Sequence, residues 1–142
     1  MIIRAVHEKD AEKVSQLSGQ LGYPTSLEKT IENIRQINAD YNQVTFVAEC
    51  ENTVAGWIQL QKRVSIVSSP FVEIVGLIVD ENHRNKKIGK ALVKAGIDWA
   101  KQKNILQLRV RSNAARNESH GFYKTLGFRE VKTQKVYDWG NE

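Results

Sequence analysis

The residues best suited to chemistry lie in one stretch, Phe71 to Leu92, reading FVEIVGLIVDENHRNKKIGKAL. Its second half gathers Arg84, Asn85, Lys86, Lys87, Ile88, Gly89 and Lys90 between an apolar run and the start of a helical pattern. A strand that ends in a basic, glycine-containing turn and then enters a helix offers unpaired backbone N–H groups at the positive end of the helix dipole. Phosphate is the natural occupant of such a turn. Arg84, Lys86, Lys87 and Lys90 add side-chain charge, and Gly89 lets a ligand approach the backbone without a Cβ in the way. The first half carries Glu73 inside Phe-Val-Glu-Ile-Val, where desolvation would raise the carboxyl pKa toward the range of a general base. The competing role for Glu73 is a carboxylate paired with a neighbouring cation at a strand end, and the residues alone weigh the two equally.

The elements that must position these groups can be read in order. In the Phe71 strand, period-two alternation puts Phe71, Glu73, Val75, Leu77 and Val79 on one face and Val72, Ile74, Gly76 and Ile78 on the other. Both faces are largely apolar, so the strand is expected to be central. Ile2 to Val6 reads as a first strand, and Ala11, Val14, Leu17 and Leu21 recur at helical spacing. Gly22, Tyr23 and Pro24 break that helix; Thr25 with Glu28 fits a capping box for a second helix carrying Leu27, Ile31 and Ile34. Gln43–Cys50 and Thr53–Val64 form a hairpin about Glu51 and Asn52, with Trp57 and Gln59 facing away from Ile58 and Leu60. Ser65 to Pro70 is expected to be a loop or loose strand end, the proline stopping one strand from running into the next. Ile88, Ala91, Leu92, Ala95 and Trp99 mark the inner side of a third helix, and Ile105 to Arg111 another strand. Asn117 caps a fourth helix, with Phe122 and Leu126 inward and Gly127 at its end. Alternation of Val131, Thr133, Lys135, Tyr137 and Trp139 predicts a last, half-exposed strand over Phe128 to Trp139.

The chain has 142 residues, which suits one domain spanning residues 1–142. No apolar run approaches the about 20 residues that cross a bilayer, and the first residues read as a strand rather than a leader, so a cytoplasmic protein without membrane association is expected. Cys50 is the single cysteine, which leaves an internal disulfide or a cysteine metal site without support. The net charge of +5 attracts anions of many kinds, but the cations are scattered and lack an aromatic-basic array, so no nucleic-acid partner is expected.

Two blocks carry a family resemblance. The apolar strand followed by Arg84, Gly89 and the tail Ile88-Gly89-Lys90-Ala91-Leu92 resembles the acetyl-CoA signature of the GNAT superfamily of N-acetyltransferases. Ser112 to Phe128, SNAARNESHGFYKTLGF, resembles the later GNAT block Ser-Asn-x-x-Arg-x-x-x-His-x-Phe-Tyr-x-x-Leu-Gly-Phe, in the family's order. Lys87 stands where the family usually has glycine, and Asn85 where it often does. A lysine there either keeps ordinary negative φ or is strained.

The resemblance implies an α/β (α+β) GNAT fold: a mixed central sheet splayed around the acetyl-CoA site and flanked by about four helices. It implies an acyltransferase that moves an acetyl group from acetyl-CoA to a primary amine by direct attack, with no metal. Pantetheine would bond to backbone at Leu77, Ile78 and Val79, the pyrophosphate would meet the turn from Arg84 to Lys90, and Asn113 and Asn117 would bond cofactor amides or cap their elements. Tyr123 matches the family tyrosine near the cofactor sulfur, and a phenol with a pKa of about 10 can protonate the departing thiolate. Glu73 sits where some members carry the base, while Tyr23 and Trp57 are candidate acceptor contacts beside it, each with core or turn packing as its alternative role. Arg116 and His120 match the block without an assigned role.

The LGYP loop and the GWI strand resemble small-molecule and aminoglycoside-type members, which favours a small amine, aminoglycoside-like or polyamine-like. A protein or peptide N-acetyltransferase, or a non-catalytic acyl-CoA sensor, is the alternative. Dimerisation is common in the fold, so a homodimer is a candidate assembly.

Overall fold

The computed structural model describes residues 1–20, 22–84, 87–111 and 117–140, with backbone alone for 117–119. The chain divides into two compact units, Met1–Val110 and Arg111–Glu142. The first holds a mixed five-stranded sheet in sequence order: β1 (Ile2–Ala5), β2 (Gln43–Cys50), β3 (Thr53–Ser65), β4 (Ser68–Val79) and β5 (Leu108–Val110). Neighbours from β1 to β4 are antiparallel and β5 runs parallel to β4. A parallel neighbour requires a crossover, and α3 (Ile88–Gln102) supplies it.

The first hairpin turn follows from local chemistry. Glu51 and Asn52 have φ of 51° and 64°, the paired left-handed residues whose twist suits two flanking strands. The β3–β4 connection is tighter than the expected loop: only Ile66 and Val67 separate the strands, and Pro70 lies inside β4. The register slips between Arg63 and Ser65, an irregularity beside which a residue without an N–H fits.

Helices α1 (Ala11–Gln20) and α2 (Leu27–Asn38) cover one face of the sheet. Val14 and Leu17 from α1 and Ile34 from α2 form a buried cluster with Val47, Val54 and Ile78 from the strands, and Trp57 packs against it. The cap of α2 is Ser26, one residue beyond the expected Thr25: the Ser26 hydroxyl accepts from Lys29 N–H at 3.1 Å, while Thr25 bonds back to the Tyr23 carbonyl. On the other face, α3 presents Ile88, Leu92, Val93, Gly96 and Ala100 inward. The helix lies close to the sheet: a Cβ on Gly96 would stand 2.9 Å from Leu60 Cδ2, and one on Gly56 would stand 3.3 Å from Ile88 Cγ2 and from Leu92 Cδ1.

Arg4 ties the first strands together. Its guanidinium donates to both carboxylate oxygens of Asp10, at 2.8 and 3.0 Å, and to Glu49 on β2. Burial alone would raise the Asp10 carboxyl, but the Arg4 bonds and the His7 N–H hold it below the usual carboxylate range.

In the second unit, α4 (Asn117–Thr125) ends at Gly127, whose φ of 92° is the left-handed terminator expected there. The last strand expected over Phe128 to Trp139 does not form a ladder among the described residues. Val131, Val136, Tyr137 and Trp139 are all exposed, so the alternation there reflects strand propensity without the neighbour that makes a strand.

Candidate functional site

The site is organised by one extra residue. Gln59 faces Gly76 and Leu60 faces Ile74, so Val75 has no partner of its own on β3. This β-bulge reverses the side-chain parity of β4. Residues opposite each other in a ladder share a face, so Phe71, Glu73, Gly76 and Ile78 lie with Trp57, Gln59 and Gln61 on the α1/α2 side. The expected alternation, with Glu73 on the face of Leu77 and Val79, is therefore corrected beyond Val75. Val75 itself is 45% exposed, between the buried residues Phe71–Ile74 and the buried or partly buried residues that follow it.

The bulge coincides with the end of the parallel pairing. β5 meets β4 only at Val72, Glu73 and Ile74, whereas β3 continues to pair as far as Val79. Among the described residues, the β5-side backbone of Val75 to Val79, which includes Leu77, Ile78 and Val79, thus has no strand partner. Backbone N–H and C=O groups left in this way require an extended ligand or water to bond them. Such a flank is geometrically suited to an amide-bearing chain.

The flank leads into the basic turn. Asp80, 2% exposed, caps a 3₁₀ turn (Glu81–His83) by accepting from Asn82 N–H at 3.1 Å. Arg84 follows in extended conformation with its side chain exposed. Lys87, directly before α3, has φ 61° and ψ 22°. Lysine thus adopts the left-handed geometry that glycine takes without penalty, which costs about 1–2 kcal/mol for a residue with a Cβ. The side chains of Lys87 and Lys90 are exposed beside the helix start. Ile88, 1% exposed, anchors the first turn of α3, whose leading N–H groups have no intrahelical acceptor. Asn85, Lys86 and Asn113 fall outside the described residues, as does the side chain of Asn117.

Glu73 is 9% exposed and occupies the α1/α2 face. Its Oε1 lies 3.9 Å from Arg63 Nε, so a cation stands near the carboxylate. Around it lies a row of amide side chains that the sequence reading left unassigned. Gln59 Nε2 donates to Gln43 Oε1 at 3.2 Å, and Arg63 Nη1 donates to Gln61 Oε1 at 3.1 Å. The period-two spacing of Gln59, Gln61, Arg63 was the available signal.

Trp57 closes this row against the core. A Cβ on Gly76 would meet Trp57 Cη2 and Cζ3 at 3.1 Å, so the glycine is where the ring packs. The indole Nε1 is buried and makes no hydrogen bond with the described residues. Tyr23 is 54% exposed on the turn between α1 and α2, with its N–H bonded to the Ser18 carbonyl.

Tyr123 belongs to the second unit, where its ring meets Phe122 and Phe128 edge-on at 5.1 and 5.5 Å. Burial pushes its phenol up to about 12, so it holds its proton throughout the neutral range. Among the described residues no group of His, Cys, Asp and Glu side chains is arranged to hold a metal ion, and no helix is long and apolar enough to cross a membrane.

Comparison with known proteins fits this geometry. An uncharacterized N-acetyltransferase of Chlorobaculum tepidum is 26% identical over 133 residues, covering 93% of this chain and 77% of that protein. An aminoglycoside antibiotic 6'-N-acetyltransferase from Acinetobacter haemolyticus superposes with a TM-score of 0.87 at 18% identity, over 100% of each chain. The structure of the aminoglycoside N-acetyltransferase AAC(6')-Iy in complex with a bisubstrate analogue, CoA-S-monomethyl-acetylneamine, matches with a TM-score of 0.87 at 21% identity, over 99% of this chain and 98% of that one. Such low identities speak for the fold. The model of the GNAT acetyltransferase family matches residues 11–128, which takes in both the bulged strand with its basic turn and the later Ser112–Phe128 block. The chain therefore belongs to the GNAT acetyltransferase family and is an acyltransferase.

Proposed function

We propose that this acyltransferase moves an acetyl group from acetyl-CoA to the primary amine of a small molecule by direct attack. The observation that carries the reading is the β5-side flank of Val75 to Val79 running straight into a basic turn at the start of α3. Acetyl-CoA suits both parts: amides along pantetheine match the backbone groups of the flank, and the diphosphate matches the turn. CoA-bound structures among the relatives of the same fold support the choice. When bound, acetyl-CoA supplies an activated acyl carbon.

The chain's own residues then have separable tasks. Backbone at Leu77, Ile78 and Val79 orients the pantetheine arm; Arg84, Asn85, Lys86, Lys87, Ile88, Gly89 and Lys90 hold phosphate; Asn113 and Asn117 bond amides of the arm. Glu73 accepts the proton of the attacking amine, directly or through one water, and Tyr123 donates a proton to the departing thiolate. The phenol is protonated up to about pH 12, so its proton is in place at neutral pH. The acceptor lies on the α1/α2 face against Trp57 and Tyr23. The amide row of Gln43, Gln59 and Gln61 beside Glu73 favours a compact, polar amine over an extended peptide, because it offers donors and acceptors together in a small area.

Thiol release from acetyl-CoA, measured against a panel of aminoglycosides, polyamines and peptides bearing free amines, tests the reading. Turnover with small amines and not with peptides supports it. Turnover restricted to peptides overturns the acceptor class. Failure of CoA to bind in calorimetry overturns the cofactor assignment.

A further inference from the structure

The buried carboxylate of Asp80 joins the end of β4 to α1, a connection that none of the tasks above uses. Asp80 N–H donates to the Ala55 carbonyl at 2.8 Å and closes the last rung between β4 and β3. Its Oδ1 accepts from Asn82 N–H at 3.1 Å and from Gln20 Nε2 at 3.3 Å. Its Oδ2 lies 3.5 Å from Lys13 Nζ and 3.4 Å from His83 Nδ1. Gln20 makes a second bond with the other end of its amide, accepting from Glu81 N–H at 3.2 Å. One glutamine side chain therefore grips two consecutive residues at the mouth of the basic turn.

Placement gives the contact its meaning. Lys13 and Gln20 are seven residues apart, two helical turns, and so share one face of α1. Gln20 is the last described residue of α1, and Gly22, Tyr23 and Pro24 stand in the turn between α1 and α2. That turn is itself fastened to α1, since Ser15 Oγ donates to the Thr25 carbonyl at 2.6 Å and Tyr23 N–H donates to the Ser18 carbonyl at 3.1 Å. Displacement of residues 81–84 would pull on Gln20, and through it on residues 22–26. The interaction is strong for its size because it takes place at a carboxylate. Although burial by itself would raise the Asp80 carboxyl, the bonds from Asn82 and Gln20 and the charge of Lys13 keep it below the usual range and ionised.

We propose that Gln20 is a positioning residue that, clipped to Asp80 and Glu81, couples the coenzyme turn to the acceptor turn at residues 22–26. The inference rests on the reading that residues 84–90 hold the coenzyme phosphates. In this arrangement CoA binding steadies residues 81–84, the Gln20 clip carries that order to the end of α1, and the acceptor turn becomes ordered as the coenzyme site fills.

Hydrogen exchange with and without saturating CoA, together with CoA calorimetry, tests this on the full chain. In the wild type, CoA is expected to slow exchange in 22–26 as well as in 84–90. Gln20→Met keeps the side-chain length and removes both bonds. It is expected to weaken CoA roughly tenfold and to abolish the CoA-dependent protection of 22–26 while leaving that of 84–90. Lys13→Met, which leaves the two Gln20 bonds intact, is expected to keep the protection of 22–26. A Gln20→Met protein that loses melting temperature but keeps the wild-type CoA response in 22–26 makes the clip merely structural and overturns the proposal. Loss of the response equally in Lys13→Met assigns the coupling to charge at Asp80 and overturns the role of Gln20. Arg84→Ala separates the two levels of argument. If it leaves CoA affinity unchanged, the phosphate-turn reading falls; if it weakens CoA while Gln20→Met does not, only the clip falls.

Discussion

Arg63 Nε lies 3.9 Å from Glu73 Oε1, with Gln61 hydrogen-bonded to the same guanidinium. A carboxylate beside a cation is either half of a structural pair or a base whose charged form that cation sustains, and two substitutions separate these roles. Glu73→Gln is expected to lower kcat by about 10²-fold or more while leaving CoA affinity unchanged. Arg63→Ala is expected to leave kcat within a few fold. Equal small losses in the two variants would reduce Glu73 to a pairing partner.

Lys87 offers a test in which stability and binding move apart. Its φ of 61° is strained for lysine and comfortable for glycine. Lys87→Gly is therefore expected to stabilise the protein by about 1 kcal/mol, which raises the melting midpoint by about 2–4 °C. Removing one cation from the turn is expected to weaken CoA at low ionic strength, with the difference closing as salt is added. Calorimetric CoA titrations at two salt concentrations, beside a thermal melt, measure both effects.

Tyr123 is the expected proton donor, and its raised pKa sets where it can be seen. In an ultraviolet titration one of the 4 tyrosines is expected to ionise late, near 12, and to be absent in Tyr123→Phe. The folded value lies above the ordinary value of about 10, so the associated stability is present below that pH and disappears as pH rises through the folded value. Tyr123→Phe is expected to depress kcat by about 10²-fold with little change in CoA affinity. A variant that loses CoA affinity first would contradict the assignment.

Acid stability is expected to follow Asp10 and Asp80. Both carboxyls are held low in the folded chain, so their stabilisation is complete above the unfolded value of about 4 and vanishes as pH drops through the folded values. Asp10→Asn is expected to flatten the stability profile below about pH 4. Arg4→Met, which leaves Asp10 almost fully buried without its bidentate partner, is expected to cost on the order of 3 kcal/mol at neutral pH. Urea unfolding across pH 2.5–7, a range chosen around that carboxylate value, reads both.

Much of this architecture was legible because local chemistry and tertiary demand agree. Gln43–Cys50 is bounded as expected because its turn carries Asn52, which tolerates positive φ, and Glu51 beside it is drawn into the same geometry. The helices were found from apolar spacing, and Gly22 and Gly127 do end theirs. What the sequence concealed are features set by register. Nothing in Ile74-Val75-Gly76 signals which residue lacks a partner, since a bulge is defined by the opposite strand. Pro70 was read as a stop and instead rides in β4 where the ladder slips. The two glutamine contacts of the site join positions 16 and 61 residues apart, a distance over which pattern carries no information. The family resemblance, by contrast, rested on short contiguous blocks and extends over residues 11–128.

The odd residue at Val75 leaves β4 with two halves whose sidedness is out of phase. On the function proposed above, side-chain substitutions at Phe71, Glu73 and Ile78 would bear on the α1/α2 face where the acceptor is proposed, and those at Leu77 and Val79 on the opposite face. A saturation scan of β4 is expected to separate into two tolerance blocks meeting at Val75. Such a seam would let an amine preference drift while the grip on a shared acyl donor stays fixed.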